Sequence, residues 1–264
     1  MARGLRGTPP DLSRRQFLTH ATAACVFGIA APSLVSSAGD WHTESDFSRR
    51  LVDSRAVSSV RTDQRLVALT FDDGPDPAFT PDVLRILADF GVSATFFCIG
   101  RNVDEHPELA RNIVRAGHVV AQHTFNHSWL DGAPTSTVER ELLGGRKSLE
   151  DLGLASGGLF RPPRGWTSPT VARVTKTMGI RSVFWSECLE HHFASPPEEA
   201  AARVVAASAP GSIVLCHDGG HLGGPNAQDI DRSQTVAALP ALVEGLLARG
   251  LRPVALPELL AAGR

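Results

Sequence analysis

The sequence predicts an α/β fold built on about seven parallel strands. Two observations carry this. From Leu66 onward, seven short apolar runs alternate with seven helical stretches, the pattern of a parallel sheet covered by helices. The polar residues that stand out, Asp72 and Asp73, His123 and His127, Arg161, and His217 with Asp218, all follow the C-terminal ends of those runs. Parallel α/β proteins collect their sites at that end, and a barrel brings several strand ends to one mouth. An open doubly wound sheet also fits the alternation. No Gly-x-Gly-x-x-Gly follows the first strand and no Walker motif occurs, which disfavours the nucleotide-binding folds.

The strand candidates are 66–71, 94–99, 118–122, 158–161, 181–186, 212–216 and 252–255. Each is short, apolar and bounded by turn or helix signals. The helices expected between and after them are 82–90, 107–116, 136–152, 169–178, 197–208, 233–249 and 257–261. Pro107 opens the second helix and Gly117 follows it, in keeping with the Pro-in, Gly-out asymmetry of helices. Ser168-Pro169 opens the fourth. Residues 39–65 are polar and irregular and read as a linker or N-terminal arm, leaving 66–264 as the main domain.

Composition narrows the function. The 264 residues are 42% hydrophobic and 20% charged, which excludes disorder for the bulk of the chain. A formal charge of -2 argues against a nucleic-acid partner. There is no tyrosine, so tyrosine chemistry is excluded. No uninterrupted apolar run of about 20 residues is present, which excludes a multi-pass membrane protein.

Residues 1–38 read as a twin-arginine export signal. Ser13-Arg14-Arg15-Gln16-Phe17-Leu18 precedes an Ala-rich apolar stretch from Ala21 to Val35, and Ser36-Ser37-Ala38 offers a cleavage site. An uncleaved N-terminal anchor is the alternative. Cleavage leaves 22 basic and 27 acidic residues, a soluble, mildly anionic chain. The expectation is a bacterial protein, extracellular or associated with the cell wall, monomeric and without stable membrane insertion. Of four cysteines, Cys98, Cys188 and Cys216 lie beyond the signal. None has the spacing of a structural zinc site, and buried free thiols are the expected state, with one disulfide left open.

The candidate chemistry starts from Asp72, Asp73, His123 and His127. His-x-x-x-His sets two imidazoles about one helical turn apart on one face. With one carboxylate they form a three-ligand site that keeps a position open for water, as catalytic zinc sites do. Such a metal acidifies its water and polarises a carbonyl. Of two adjacent aspartates, one can hold the metal while the other takes the proton from the attacking water. Asp-Asp-Gly-Pro is also ordinary turn sequence, and His-x-x-x-His alone is common on helices. The combination at strand ends of one sheet favours a metal site, with zinc first and cobalt or another divalent ion also suited.

Thr70-Phe71-Asp72-Asp73-Gly74-Pro75, His123-Thr124-Phe125-Asn126-His127, Arg161-Pro162-Pro163-Arg164-Gly165 and Ile213-Val214-Leu215-Cys216-His217 occur in this order. In this the chain resembles the polysaccharide deacetylases of carbohydrate esterase family 4, which include the nodulation-type chitooligosaccharide deacetylases. The resemblance covers about 66–260. It implies a distorted (β/α) barrel and metal-dependent removal of acetyl groups, most often N-acetyl, from chitooligosaccharide, peptidoglycan or another glycan. It implies Asp73, His123 and His127 as metal ligands, Asp72 as base, and Arg161 as the residue that holds the base. The backbone N–H of Arg164 falls at the oxyanion, His217 at the acid that protonates the leaving amine, and Leu215 beside the acetyl methyl group. Trp166, like Trp129, is a candidate sugar-stacking residue.

One departure stands out. Where the family has Asp-Trp after the fifth strand, alignment puts His191 and His192, with Glu190 available as a neighbouring carboxylate. Arg164 also replaces a common aromatic. Two other functions therefore stay open at this point: a glycan-binding barrel without turnover, and an amidase acting on a non-sugar amide.

Overall fold

The computed structural model describes residues 53–222 and 228–264. The export-signal reading, residues 1–38, lies outside them, as do residues 39–52 of the arm. The first strand, β1 (Leu66–Asp72), is buried along its whole length and organises the sheet. Its start pairs with β10 (Arg252–Val254) and its end with β2 (Thr95–Cys98), while β7 (Ile213–His217) runs along its other side. Beyond β2 follow β3 (Val119–Gln122), β4 (Leu159–Phe160) and β5 (Arg181–Ser182), and beyond β7 lies β6 (Glu187–Cys188). All of these pairings are parallel. A separate two-stranded antiparallel ribbon joins β8 (His221–Leu222) to β9 (Gln228–Asp229).

The helices are α1 (Thr80–Phe90), α2 (Gly100–Glu105), α3 (Pro107–Arg115), α4 (Thr135–Asp151), α5 (Pro169–Thr177), α6 (Pro197–Ala207), α7 (Ser233–Ala248) and α8 (Leu256–Ala261). Ser168 caps α5 by accepting from the Val171 N–H at 3.3 Å. None of the described helices is long and apolar enough to cross a membrane. Strand alternation sorts the core into two faces. Val67, Leu69 and Phe71 join Val214 and Cys216 in a cluster with α1, α3, α6 and α7. Leu66 and Ala68 join Phe97, Ala121, Ile213 and Val254 in the barrel interior, where Leu256 and Leu259 of α8 close the N-terminal end. Thr70 and Asp72 continue that interior face upward, so the alternation of Leu-Val-Ala-Leu-Thr-Phe-Asp delivers Asp72 to the mouth.

The strand expected over 181–186 is a correction. Only Arg181–Ser182 pairs with β4, and the chain then crosses to the far side of the sheet to form β6 against β7. The carbonyls of Val183 and Phe184 accept hydrogen bonds from the Arg161 guanidinium, at 3.3 and 3.1 Å. Those groups are thereby taken from the ladder. The arm covers the resulting gap. Val57 bridges to Val183 in parallel and Ser59 to Ser212 antiparallel, linking the β5 side of the sheet to the start of β7.

Candidate metal centre and active site

The loops that leave β1, β3, β4 and β7 meet at the C-terminal mouth. Asp72 is the last residue of β1 and Asp73 the first of its loop. His123 follows β3 directly. His-x-x-x-His is not helical here: residues 123–127 form an irregular loop in which Thr124 and His127 adopt φ of 66° and 54°. The two left-handed residues fold the loop back, and the rings still meet, with centroids 5.1 Å apart. The helical expectation is thus corrected while the juxtaposition stands.

Four non-glycine residues have positive φ among the described residues: Asp73, Thr124, His127 and Arg164. All four stand at this mouth. Such conformations cost of order 1–3 kcal/mol each and persist only where surrounding contacts over-determine them. The contacts are present. Asn102 of α2 donates to the Asp73 carbonyl at 2.8 Å. The Glu141 carboxylate of α4 accepts from both the backbone and the side-chain amide of Asn126, at 2.9 and 3.0 Å, while Arg101 donates to the Asn126 side-chain oxygen Oδ1.

Asp73, His123 and His127 form one buried cluster of possible metal ligands. Asp73 Oδ1 lies 3.4 Å from His123 Nε2 and 3.4 Å from His127 Nε2. It has no hydrogen-bond donor. His123 Nδ1 is 2.8 Å from the Arg161 carbonyl, which can only accept, so Nδ1 carries the proton and Nε2 presents a lone pair. Burial lowers the His127 pKa to about 4, so its ring is neutral at pH 7. Burial also pushes the Asp73 carboxyl up, but positive charge on His123, His127 and His217 in their protonated forms outweighs it and holds Asp73 below the usual carboxylate range. A buried carboxylate oxygen that has no donor and faces the Nε2 atoms of two imidazoles suits a cation. Ligands at about 2.0–2.1 Å in a tetrahedral arrangement lie about 3.4 Å apart, which the observed separations match.

Asp72 lies beside this cluster, its Oδ2 3.9 Å from His123 Nε2. Arg161, fully buried, donates to Asp72 Oδ1 at 2.6 Å and to Thr70 Oγ1 at 3.0 Å. Its guanidinium packs 4.2 Å from the centroid of Phe97. With the two carbonyl bonds described above, the arginine holds Asp72 in a single orientation. His217 ends β7, with Nδ1 3.1 Å from Glu190 Oε1. That same oxygen accepts from the His217 N–H at 3.0 Å and from Thr235 at 2.8 Å. Burial depresses the His217 imidazole, but Glu190 outweighs it, with help from Asp73, and the pKa ends above its ordinary value. Glu190, rather than the aligned His191 or His192, is the carboxylate that meets the histidine.

Leu215 is buried on the same strand face as His217. Arg164 projects from a 3-10 turn (Pro163–Gly165) with its guanidinium 5.1 Å from the centroid of Trp129. Trp129 and Trp166 are 53% and 52% exposed, on either side of this turn in the chain's ordering of site loops. Cys98, Cys188 and Cys216 are free and buried. Sequence reasoning missed Asn102, Glu141, Thr80 and Arg232, and marked Asp218 only as a polar residue at a strand end. Asp218 is buried, accepts from Thr80 at 2.5 Å, and is pushed up to about 7, chiefly by burial. No spacing signal points to Asn102, Glu141, Thr80 or Arg232, because their contacts span 15 to 159 positions of chain.

A family model described as polysaccharide deacetylase matches residues 59–183. A peptidoglycan-N-acetylglucosamine deacetylase of Bacillus cereus is 37% identical over 203 residues, 76% of this chain and 91% of the relative. The chain belongs to the polysaccharide deacetylase family. A chitooligosaccharide deacetylase of Sinorhizobium fredii is 39% identical, over 77% of this chain and 96% of that protein. Among solved structures, a peptidoglycan N-acetylglucosamine deacetylase bound to a naphthyl-substituted N-hydroxybenzamide superposes with a TM-score of 0.70 at 28% identity. The match covers 80% of this chain and 95% of that one. The curled parallel sheet is that of the deacetylase family, and so is the class of reaction, hydrolysis of an acetyl group from a saccharide.

Proposed function

We propose that this deacetylase hydrolyses N-acetyl groups of an exported or cell-wall glycan, either chitooligosaccharide or peptidoglycan. A divalent metal, zinc in the first place and cobalt as a substitute, is held by Asp73, His123 and His127. The observation that carries the reading is the buried Asp73 oxygen facing the Nε2 atoms of two imidazoles, with a clamped second carboxylate beside it. When bound, the metal supplies a Lewis acid that polarises the acetyl carbonyl and acidifies water.

The chain's own residues divide the remaining work. Asp72 accepts the proton of the attacking water, and Arg161 keeps its carboxylate aimed. The Arg164 N–H donates to the developing oxyanion, a contribution of about 2.7–4 kcal/mol for one such donor. His217 donates a proton to the departing amine, so that amide and water become amine and acetate. Leu215 packs against the acetyl methyl group and Trp166 against a sugar ring. Glu190 supports the turnover reading over a binding-only barrel, since the histidine keeps a carboxylate despite the altered segment after β5.

The test is acetate release by residues 39–264 after chelation and again with zinc restored, on chitooligosaccharide, peptidoglycan and acetylxylan in parallel. Release should vanish with the metal and return with it. Asp72→Asn should lower kcat by about 10²–10⁴ while zinc uptake is unchanged. A chain that binds zinc and releases no acetate from any of the three, or an Asp72→Asn variant with full activity, would overturn the reading.

The export reading extends the same proposal. Arg14 and Arg15 direct transport through the twin-arginine pathway, and a double Arg→Lys variant fused to a reporter should stay in the cytoplasm. Undiminished export of that variant would refute it.

A further inference from the structure

We propose that Arg232 is a positioning residue for the metal centre, holding one oxygen of Asp73 so that the other is left for the ion. The inference rests on the metal-site reading above. Arg232 stands immediately before α7, 159 positions from Asp73, and is only 9% exposed. Its Nη2 donates to Asp73 Oδ2 at 2.8 Å and its Nε donates to the Gly219 carbonyl at 2.9 Å. Two donors in different directions fix the plane of a guanidinium, which one contact alone would leave free to rotate. Gly219 is itself tight against Asp73: a Cβ there would collide with the Asp73 carbonyl. The arginine therefore joins two loops that already touch.

The consequence falls on the carboxylate. Oδ2 is satisfied by Arg232, while Oδ1 has no donor and faces both imidazoles. An aspartate without this partner can rotate, or offer both oxygens to a cation. With it, a single oxygen is presented. Three residues further on, Thr235 donates to Glu190, the carboxylate paired with His217. The start of α7 thus holds the carboxylates of both halves of the site.

Charge and orientation make opposite predictions. A guanidinium a few ångströms from a divalent cation repels it, so on Coulombic grounds alone its removal should tighten metal binding. If Arg232 acts by orienting Asp73, its removal should loosen binding, by roughly 10–100-fold for an outer partner of a ligand.

The measurement is zinc affinity by chelator competition for residues 39–264, Arg232→Gln and Arg232→Lys, together with the visible absorption of the cobalt-loaded forms. Arg232→Gln should bind more weakly by that factor and change the cobalt spectrum. Arg232→Lys keeps the charge but not the fork and should recover affinity only in part. An Arg232→Gln variant that binds zinc as tightly as the parent, or more tightly, overturns the assignment. Should Arg232→Gln fail to fold by circular dichroism, parent-like affinity and an unchanged cobalt spectrum for Arg232→Lys overturn it equally. A parent chain that takes up no zinc would instead remove the metal-site reading, and this assignment with it.

Discussion

At the scale of single residues, the altered segment after β5 makes a sharp prediction. Glu190 Oε1 lies 3.1 Å from His217 Nδ1. It raises the histidine's pKa against the pull of burial. A histidine that acts as an acid must be protonated, so a raised pKa keeps it competent to higher pH, and activity is lost as pH rises through it. In Glu190→Gln, burial is left to dominate and the sign reverses. The alkaline limb of the kcat profile should then move to lower pH, with a loss there approaching the about 10²–10⁴-fold contribution of a general acid. A profile superimposable on the parent's would refute the role of Glu190. The motif residues themselves, Asp72, Asp73, His123, His127, Arg161 and His217, were legible in the sequence because each motif is contiguous and follows a strand. Glu190 was visible as a neighbouring carboxylate, but its reach to the histidine was not. Which residue reaches the histidine depends on how the chain turns after β6, and no local spacing encodes that.

At the scale of elements, α2 and α4 support the histidine loop from behind. Gly145 of α4 packs against the Thr124 backbone, where an added Cβ would stand 2.8 Å from the carbonyl oxygen. Gly100 of α2 would in the same way press a Cβ 2.9 Å from Gly145 Cα. Two effects compete in Gly145→Ala. Alanine improves helix propensity by about 1 kcal/mol. Forcing a methyl group into a packed contact costs about 1–3 kcal/mol, and backbone cannot yield as a flexible side chain does. The clash should win, giving a lower denaturation midpoint and weaker zinc uptake. A stabilised variant would show that the loop has room to shift. The sequence pattern found α4 but not α2, whose six residues offer too short an amphipathic repeat. It also extended the fifth strand too far, because nothing local announces that Arg161 will claim the carbonyls of Val183 and Phe184.

At the scale of the whole molecule, the arm completes the sheet. Val57 exchanges two hydrogen bonds with Ser182 and Phe184, at 3.0 and 2.7 Å, and Val60 donates to Gly211 at 2.9 Å. Val57 and Val60 also pack against the interior cluster. At about 1 kcal/mol for each hydrogen bond, plus the apolar contact, a chain beginning at residue 66 should lose at least about 2–4 kcal/mol relative to residues 39–264. Urea denaturation of the two chains measures this, and equal midpoints would make the arm a mere linker. The sequence by itself determined the alternation of strands and helices, the strand face that carries Asp72 to the mouth, and the motif residues, because periodicity and contiguous motifs are local. Tertiary structure alone decided that His-x-x-x-His is a loop, that Glu190 serves His217, that Arg232 meets Asp73, and that the arm spans the gap. Each of these rests on contacts between segments distant in the chain, set by how the sheet curls and not by any spacing along it.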